Sequence, residues 1–210
     1  MTESQTRLRA DARRNRDRII AAAGEAFSDQ GPDVPMEEIA RRAEVGVGTL
    51  YRRFPDREAL IRAVAQENFR RVLDDARAAA AEEPTAWDAL VRVVDRSHRL
   101  RVTVQLALVS DRARQILSED PRTGGIRSEL MDELTRIVES AQAEGAMRPD
   151  VGAGDVAILF SLVLRQPPVA RESAARVFDR ARAIMLDGLR AGAAGVLPGD
   201  PIRTGELPLR

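Results

Sequence analysis

With 210 residues and 44% hydrophobic content, the chain is long enough to enclose a core in one or two small domains. Its 33 basic residues, every one an Arg, are cancelled by 33 acidic ones, so overall charge singles out no partner. The lack of Cys excludes disulfides, thiolate metal sites and cysteine nucleophiles, and a single His excludes a multi-histidine metal site. Arg suits bidentate contacts to phosphate and guanine, but an Arg-only basic set reads first as genomic composition bias. The N-terminus is polar, without an apolar leader. The longest apolar run, Val156 to Leu164, is far shorter than a membrane span, so a soluble cytoplasmic protein is expected.

Residues 1–12 read as a flexible arm. From Arg7 to Arg18, Arg7, Arg9, Arg13, Arg14, Arg16 and Arg18 face only Asp11 and Asp17. Phosphate attraction and a plain solvated helix start account for that excess about equally well. Ile19, Ile20, Ala22, Ala23, Ala26 and Phe27 then recur at helical spacing until Gly31 and Pro32 stop the helix, with Phe27 as the plug of a small core.

The stretch from Ile39 to Phe54 organises the rest of the chain. A short helix carries Ile39, Ala40 and Ala43 on one face, a turn holds Val45 and Gly46, and a second short helix buries Leu50. Ala40 is small where the two helices cross. This is the layout of a helix-turn-helix, whose second helix enters the DNA major groove. Val47, Gly48, Thr49, Tyr51, Arg52 and Arg53 are left facing outward. Small, aromatic and basic side chains on one face suit a groove of bases flanked by phosphates. Thr49 can bond a base edge or meet a thymine methyl, while Val47 and Gly48 permit close approach.

Pro55 ends that helix and Asp56 caps the next, which runs for about 25 residues through Leu60, Val64, Phe69, Val72 and Ala76 until Pro84 breaks it. Thr85 with Asp88 forms a capping-box pattern for a helix carrying Trp87, Leu90, Val91 and Val94. Val102 to Val109 reads as a further helix. Asp120, Pro121, Gly124 and Gly125 read as a loop, followed by a helix from about Ile126 to Glu144. Val156 to Leu164 opens an apolar helix broken at Pro167-Pro168, and Ser173 to Ala191 forms the last one. Residues 192–210 mix Gly, Pro and charge without periodicity and read as a disordered tail.

The run Gly46-Val47-Gly48-Thr49-Leu50-Tyr51-Arg52-Arg53-Phe54-Pro55-Asp56-Arg57-Glu58-Ala59-Leu60 resembles the signature of TetR-family transcriptional regulators, and Ala26-Phe27, Gly31 and Ile39-Ala40 match its flanks. The resemblance covers residues 13–64; beyond them there is only general agreement of a helical C-terminal region. It implies backbone contact through the Tyr51 hydroxyl and phosphate contact at Arg57. Two positions depart from the family pattern. Glu44 stands where the family has Gly, so the first helix is expected to run one residue further. Pro35 stands where the family has a Thr cap, so Asp33 is expected to cap instead, with Glu37 and Glu38 suiting the positive helix end. A carboxylate at Glu44 would also repel nearby phosphate, so Glu44→Gly is expected to tighten DNA binding.

The expected fold is therefore all-α, with about nine helices. A three-helix helix-turn-helix domain spans residues 13–62 and a helical ligand-binding and dimerisation domain spans 63–191. A two-fold DNA reader needs a dimer, since palindromic half-sites mirror protein symmetry. The resemblance implies a homodimer through the last two long helices. The candidate interface is Val156, Phe160, Val163, Ala174, Val177, Phe178, Ala181, Ile184, Met185 and Gly188. It also implies a pocket for a small-molecule inducer among the middle helices, with Trp87, His98, Gln105, Phe160, Ser161 and Arg165 as candidate contacts; ordinary core or surface roles are the plainer reading of each. The function implied is a DNA-binding regulator, a repressor released from a palindromic double-stranded operator by its inducer. A dimeric regulator without a ligand is the alternative. A helical enzyme or carrier is disfavoured: no glycine-rich phosphate loop, metal-ligand cluster or nucleophile-base pairing is written in the sequence, and no catalytic residue or cofactor is expected.

Overall fold

Apolar positions spaced three and four apart through most of the chain make the α-helix the element that can bury them. The computed structural model describes residues 3–165, 171–192 and 195–207, with side chains from Asp11 onward apart from those of 171–174 and Glu206. Ten α-helices are found among the described residues: α1 (Glu3–Gln30), α2 (Met36–Arg42), α3 (Val47–Arg53), α4 (Arg57–Glu82), α5 (Ala86–Arg96), α6 (Arg101–Val109), α7 (Asp111–Glu119), α8 (Pro121–Ala143), α9 (Ala153–Leu164) and α10 (Arg171–Leu189). A 3-10 turn over Ser97–Leu100 links α5 to α6. None of the described helices is long and apolar enough to cross a membrane.

Two apolar clusters hold the helices together. The first joins α1, α2, α3 and the start of α4 through Ile19, Phe27, Ile39, Leu50, Leu60 and Val64. Four residues from beyond the amino-terminal region complete it: Leu106 of α6 and Ala113, Ile116 and Leu117 of α7. The second cluster gathers the rest of α4 with α5, α8, α9 and α10 around Leu73, Trp87, Leu90, Leu134, Ile137 and Val156. Helix α4 is common to both, so one helix threads the two cores.

The caps show where local chemistry starts these helices. Asp56 accepts the Ala59 N–H at 2.6 Å, and Thr85 accepts the Asp88 N–H at 3.0 Å. The first amide of α5, Ala86, is held instead by the Glu144 carboxylate at 2.9 Å. Asp120 accepts from the Thr123 amide at 2.8 Å and from Gln66 at 2.9 Å. Burial alone would raise the Asp120 carboxyl, but the Thr123 and Gln66 bonds outweigh it and hold it below its ordinary value.

Several expectations are corrected. From Glu3 the supposed arm is the first turns of α1. Asp33 does not cap α2: Pro35 occupies the cap position, and its carbonyl accepts from Glu38 and Ile39. The loop expected around Gly124 and Gly125 is helical, because Asp120 caps and Pro121 starts α8 five residues earlier than Ile126. Helix α7 has no counterpart among the expected elements, since its buried residues Ala113, Ile116 and Leu117 are few among charged neighbours. The Pro167-Pro168 break lies outside the described residues.

The tail is also seated rather than disordered over its described part. Arg148 donates to Gly195 O at 2.7 Å, and Asp155 accepts the Ile202 N–H at 3.0 Å. The Gly154 N–H donates to Ile202 O at 3.0 Å. A Cβ on Gly152 or Gly154 would lie 2.4 Å from that oxygen, so both glycines are required for the close approach.

Candidate nucleic-acid interface

Helix α3 is seven residues long and is fixed by one apolar anchor, Leu50, which is fully buried. Gly46 opens it, its carbonyl accepting from Thr49 at 2.8 Å and Leu50 at 3.2 Å. Phe54, just past its end, is buried in the same cluster. With the helix pinned at Leu50 and Phe54, the rest of its surface turns outward. Val47 and Tyr51 are 39% and 41% exposed, and Gly48, Arg52 and Arg53 are exposed. Thr49 is half-buried and accepts a hydrogen bond from Arg52 at 3.1 Å. An exposed valine and tyrosine beside two arginines, without an acid on the helix, present apolar, hydroxyl and cationic contacts on one short rod.

The turn before α3 carries a strained residue. Helix α2 stops at Arg42, and Glu44 takes φ = 51°, the left-handed conformation that favours glycine. The Val45 N–H reaches back to Ala40 O at 3.0 Å and the Glu44 N–H to Arg41 O at 3.1 Å, the bond pair that closes a helix through a left-handed residue. The first helix therefore does not run one residue further, as expected from the missing Gly. Glu44 adopts the glycine geometry instead, and its carboxylate accepts from Arg18 Nη2 at 2.7 Å.

Other arginines near α3 are bound into the scaffold. Arg57, expected to meet phosphate, donates to Pro32 O at 2.7 Å and Val34 O at 2.5 Å, carbonyls of the loop between α1 and α2. It closes the loop by satisfying two of its backbone acceptors. Arg42 pairs with Glu38 and Asp29, both at 3.0 Å, tying α2 to α1. The hydrogen bond from Arg41, then that from Arg42, holds the Glu38 carboxyl down at about 2.

The second region opens a cleft of about 1960 Å³ between α9 and α10. Leu159, Leu162, Val163, Phe178, Ile184 and Met185 form its apolar walls, while Asp95, His98, Arg101, Arg165 and Arg182 supply polar groups. Arg182 of α10 pairs with Asp95 of α5 across it. Tail residues Leu197 and Pro198 border it as well.

Of the six candidate ligand contacts, only His98 and Arg165 line this cleft. Phe160 is buried in the second cluster, and Ser161 donates to Ile158 O at 2.7 Å within its own helix. Gln105 is half-buried on α6, away from the cleft lining. Trp87 is a core residue, with the Arg190 guanidinium 4.5 Å above its ring and no hydrogen-bond partner for Nε1 among the described residues.

The candidate dimer residues divide similarly. Val156, Phe160 and Met185 are buried in the second cluster, and Met185 also reaches the cleft wall. Val163, Val177, Phe178 and Ala181 are half-buried, whereas Gly188 and Ile184 are exposed, Ile184 at 67%. The Ala174 side chain lies outside the described residues. Leu159 and Leu162, 40% and 49% exposed, are absent from the residues expected at the interface. The signal is nevertheless in the sequence: a helix apolar on every side cannot bury all of it in one small subunit.

Comparisons with known proteins match the chain in two segments. Residues 19–64 match the family described as bacterial regulatory proteins, tetR family, and residues 88–191 match the C-terminal domain described as transcriptional regulator SbtR-like. An HTH-type transcriptional regulator of Mycobacterium bovis is 30% identical over 148 residues, 70% of this chain and 75% of that protein. Among solved structures, a TetR transcriptional regulator from Streptomyces coelicolor superposes with a TM-score of 0.68 at 32% identity, covering 85% of this chain and 99% of that one. A TetR regulatory protein from Mycobacterium vanbaalenii gives 0.62 at 32% identity, covering 87% and 99%.

Proposed function

This chain belongs to the TetR family of bacterial DNA-binding transcriptional regulators, and we propose that it is a repressor that holds a palindromic operator as a homodimer and leaves it when a small molecule binds. Val47, Gly48, Thr49, Tyr51, Arg52 and Arg53 form the reading surface in this proposal. Two short helices, one per subunit, then read two half-sites about one helical turn apart. The apolar side chains of Leu159, Leu162 and Ile184 support pairing of the subunits through α9 and α10.

The observation that carries the regulatory part is the shared core. Leu106, Ala113, Ile116 and Leu117 are built into the same cluster as Leu50. The 3-10 turn leading into α6 faces the cleft through His98, and Arg101 of α6 lines it too. A molecule that spreads α9 from α10 and presses on this turn strains α6, and α6 cannot move without disturbing the packing under α3. Couplings of this kind are typically about 1–3 kcal/mol, or roughly 5- to 150-fold in affinity.

Selection of binding sites from a random-sequence DNA pool tests the symmetry. A palindrome with half-sites about one turn apart is expected, and enrichment of a single unrepeated half-site overturns the dimeric reading. A thermal-shift screen with small molecules tests release: a compound that raises the melting temperature must also lower affinity for the selected site. The second reading, a dimeric regulator without a ligand, has its own support, because the cleft walls are largely the apolar faces that a second copy would cover. Under that reading dimerisation fills the cleft and the screen returns no compound that weakens DNA binding.

A further inference from the structure

Arg18 and Glu44 are 26 residues apart in sequence, and α1 brings them together at the turn that precedes α3. Arg18 Nη2 donates to the Glu44 carboxylate at 2.7 Å and lies 3.3 Å from the Glu44 carbonyl oxygen. We propose that Arg18 is a DNA-phosphate-binding residue held in reserve, and that the Glu44 carboxylate occupies its guanidinium in the free protein as a substitute for a phosphate oxygen.

Four observations converge on this reading. Glu44 lies two residues before Gly46, which opens α3, and recognition helices approach base edges with their N-terminal residues. The turn therefore flanks the groove, where phosphates run. The pair is open to solvent, with side chains 45% and 83% exposed, so a phosphate can reach the guanidinium and displace a weakly held partner. The neighbouring Arg42 and Arg57 are each held by two separate residues of the scaffold, whereas both of these hydrogen bonds from Arg18 run to Glu44. Finally, Glu44 keeps its place at a positive φ that an ordinary residue occupies at a cost, and strain of this kind gathers at working sites.

The exchange swaps one oxyanion for another on the same guanidinium and frees the Glu44 carboxylate to water. Its cost is the same on every DNA sequence. Glu44 therefore lowers affinity for all duplexes alike and leaves their ranking unchanged. The proposal rests on α3 being the reading helix.

The test uses the full chain and a fluorescent duplex enriched by the wild-type protein from a random-sequence pool. Dissociation constants over a series of salt concentrations are measured for wild type, R18Q, E44Q, the double variant and R53A. Loss of one phosphate contact in R18Q is expected to make the slope of log affinity against log salt shallower by about 0.9. E44Q is expected to tighten binding by up to about fivefold, the factor that corresponds to an exposed ion pair. In the R18Q background the E44Q gain must shrink, since only the repulsion between Glu44 and DNA is then removed. An R18Q slope equal to wild type overturns the proposal, even if its melting temperature falls, for the pair then only fastens α1 to the turn. Equal E44Q gains in both backgrounds overturn it too. R53A reports separately on the reading helix: unchanged affinity and slope in that variant would remove the premise, whatever Arg18 does.

Discussion

The two apolar clusters solve the same problem with opposite results. The amino-terminal cluster is made of small and medium side chains, five Ala among them between Ala22 and Ala43, closed by Phe27, Leu50 and Phe54. It leaves a polar and cationic rim with only Val47 and Tyr51 as large exposed apolar groups on α3. The second cluster is built on larger side chains yet ends in a cleft, with Leu159, Leu162 and Ile184 open to solvent. One region completes its core with residues from α6 and α7; the other leaves its last two helices unfinished. A finished core leaves polar and cationic groups outward, whereas an unfinished one presents apolar surface that a partner can cover.

The sharpest way to break this contrast is Ile116→Ala. Ile116 lies in the C-terminal half of the chain but is buried in the amino-terminal cluster. Its truncation is expected to cost about 3 kcal/mol by the usual range for buried Ile to Ala. Hydrogen exchange should then quicken first in α1 and the start of α4; quickening confined to α8 and α9 would show that the cores are partitioned differently.

Paired charges on the unfinished face come next. Leu162→Asp with Ile184→Asp should weaken dimerisation by about 2 kcal/mol or more, roughly 30-fold, as for a buried interface anchor. Light scattering over a concentration series checks it, and an unchanged dimer would place the interface elsewhere. The subunit's own melting temperature should hardly move, because both side chains are exposed.

A smaller effect is expected in the finished region. Glu44→Gly places glycine where φ is 51°, and should raise stability by about 0.5–1 kcal/mol, net of glycine's flexibility when unfolded. Urea unfolding reads it directly, and a loss of stability would mean that the Arg18 pair outweighs the strain.

The smallest effect belongs to the seat of the tail. The hydrogen bond from Arg148 lowers the Asp150 carboxyl from its ordinary 3.8 to about 2. A carboxyl depressed by folding favours the folded state above its unfolded value, and that contribution disappears as pH falls towards 2. Melting temperatures of Asp150→Asn should therefore fall less steeply than wild type between about pH 5 and pH 2. Parallel curves would assign the acid sensitivity to other carboxylates.

Much of α3 is legible in the sequence because its rules are local. Gly46, Leu50, Pro55 and Asp56 each fix one feature by their own chemistry, and their spacing leaves the outward face little choice. The role of Arg57 is hidden for the opposite reason: its two carbonyl partners lie more than twenty residues away, where no local pattern reaches them. The tail is hidden likewise, since its order depends on Gly152, Gly154 and Asp155 rather than on any periodicity of its own.

Residue order alone determined most of the helices, their principal caps and the apolar anchor beneath α3, since each depends on neighbours within a few positions. Only the tertiary structure decided which arginines are spent on carbonyls, which acid holds Arg18, and which leucines remain uncovered. Those outcomes depend on distances between segments, and burial is shared among helices in a way that no single stretch of chain encodes.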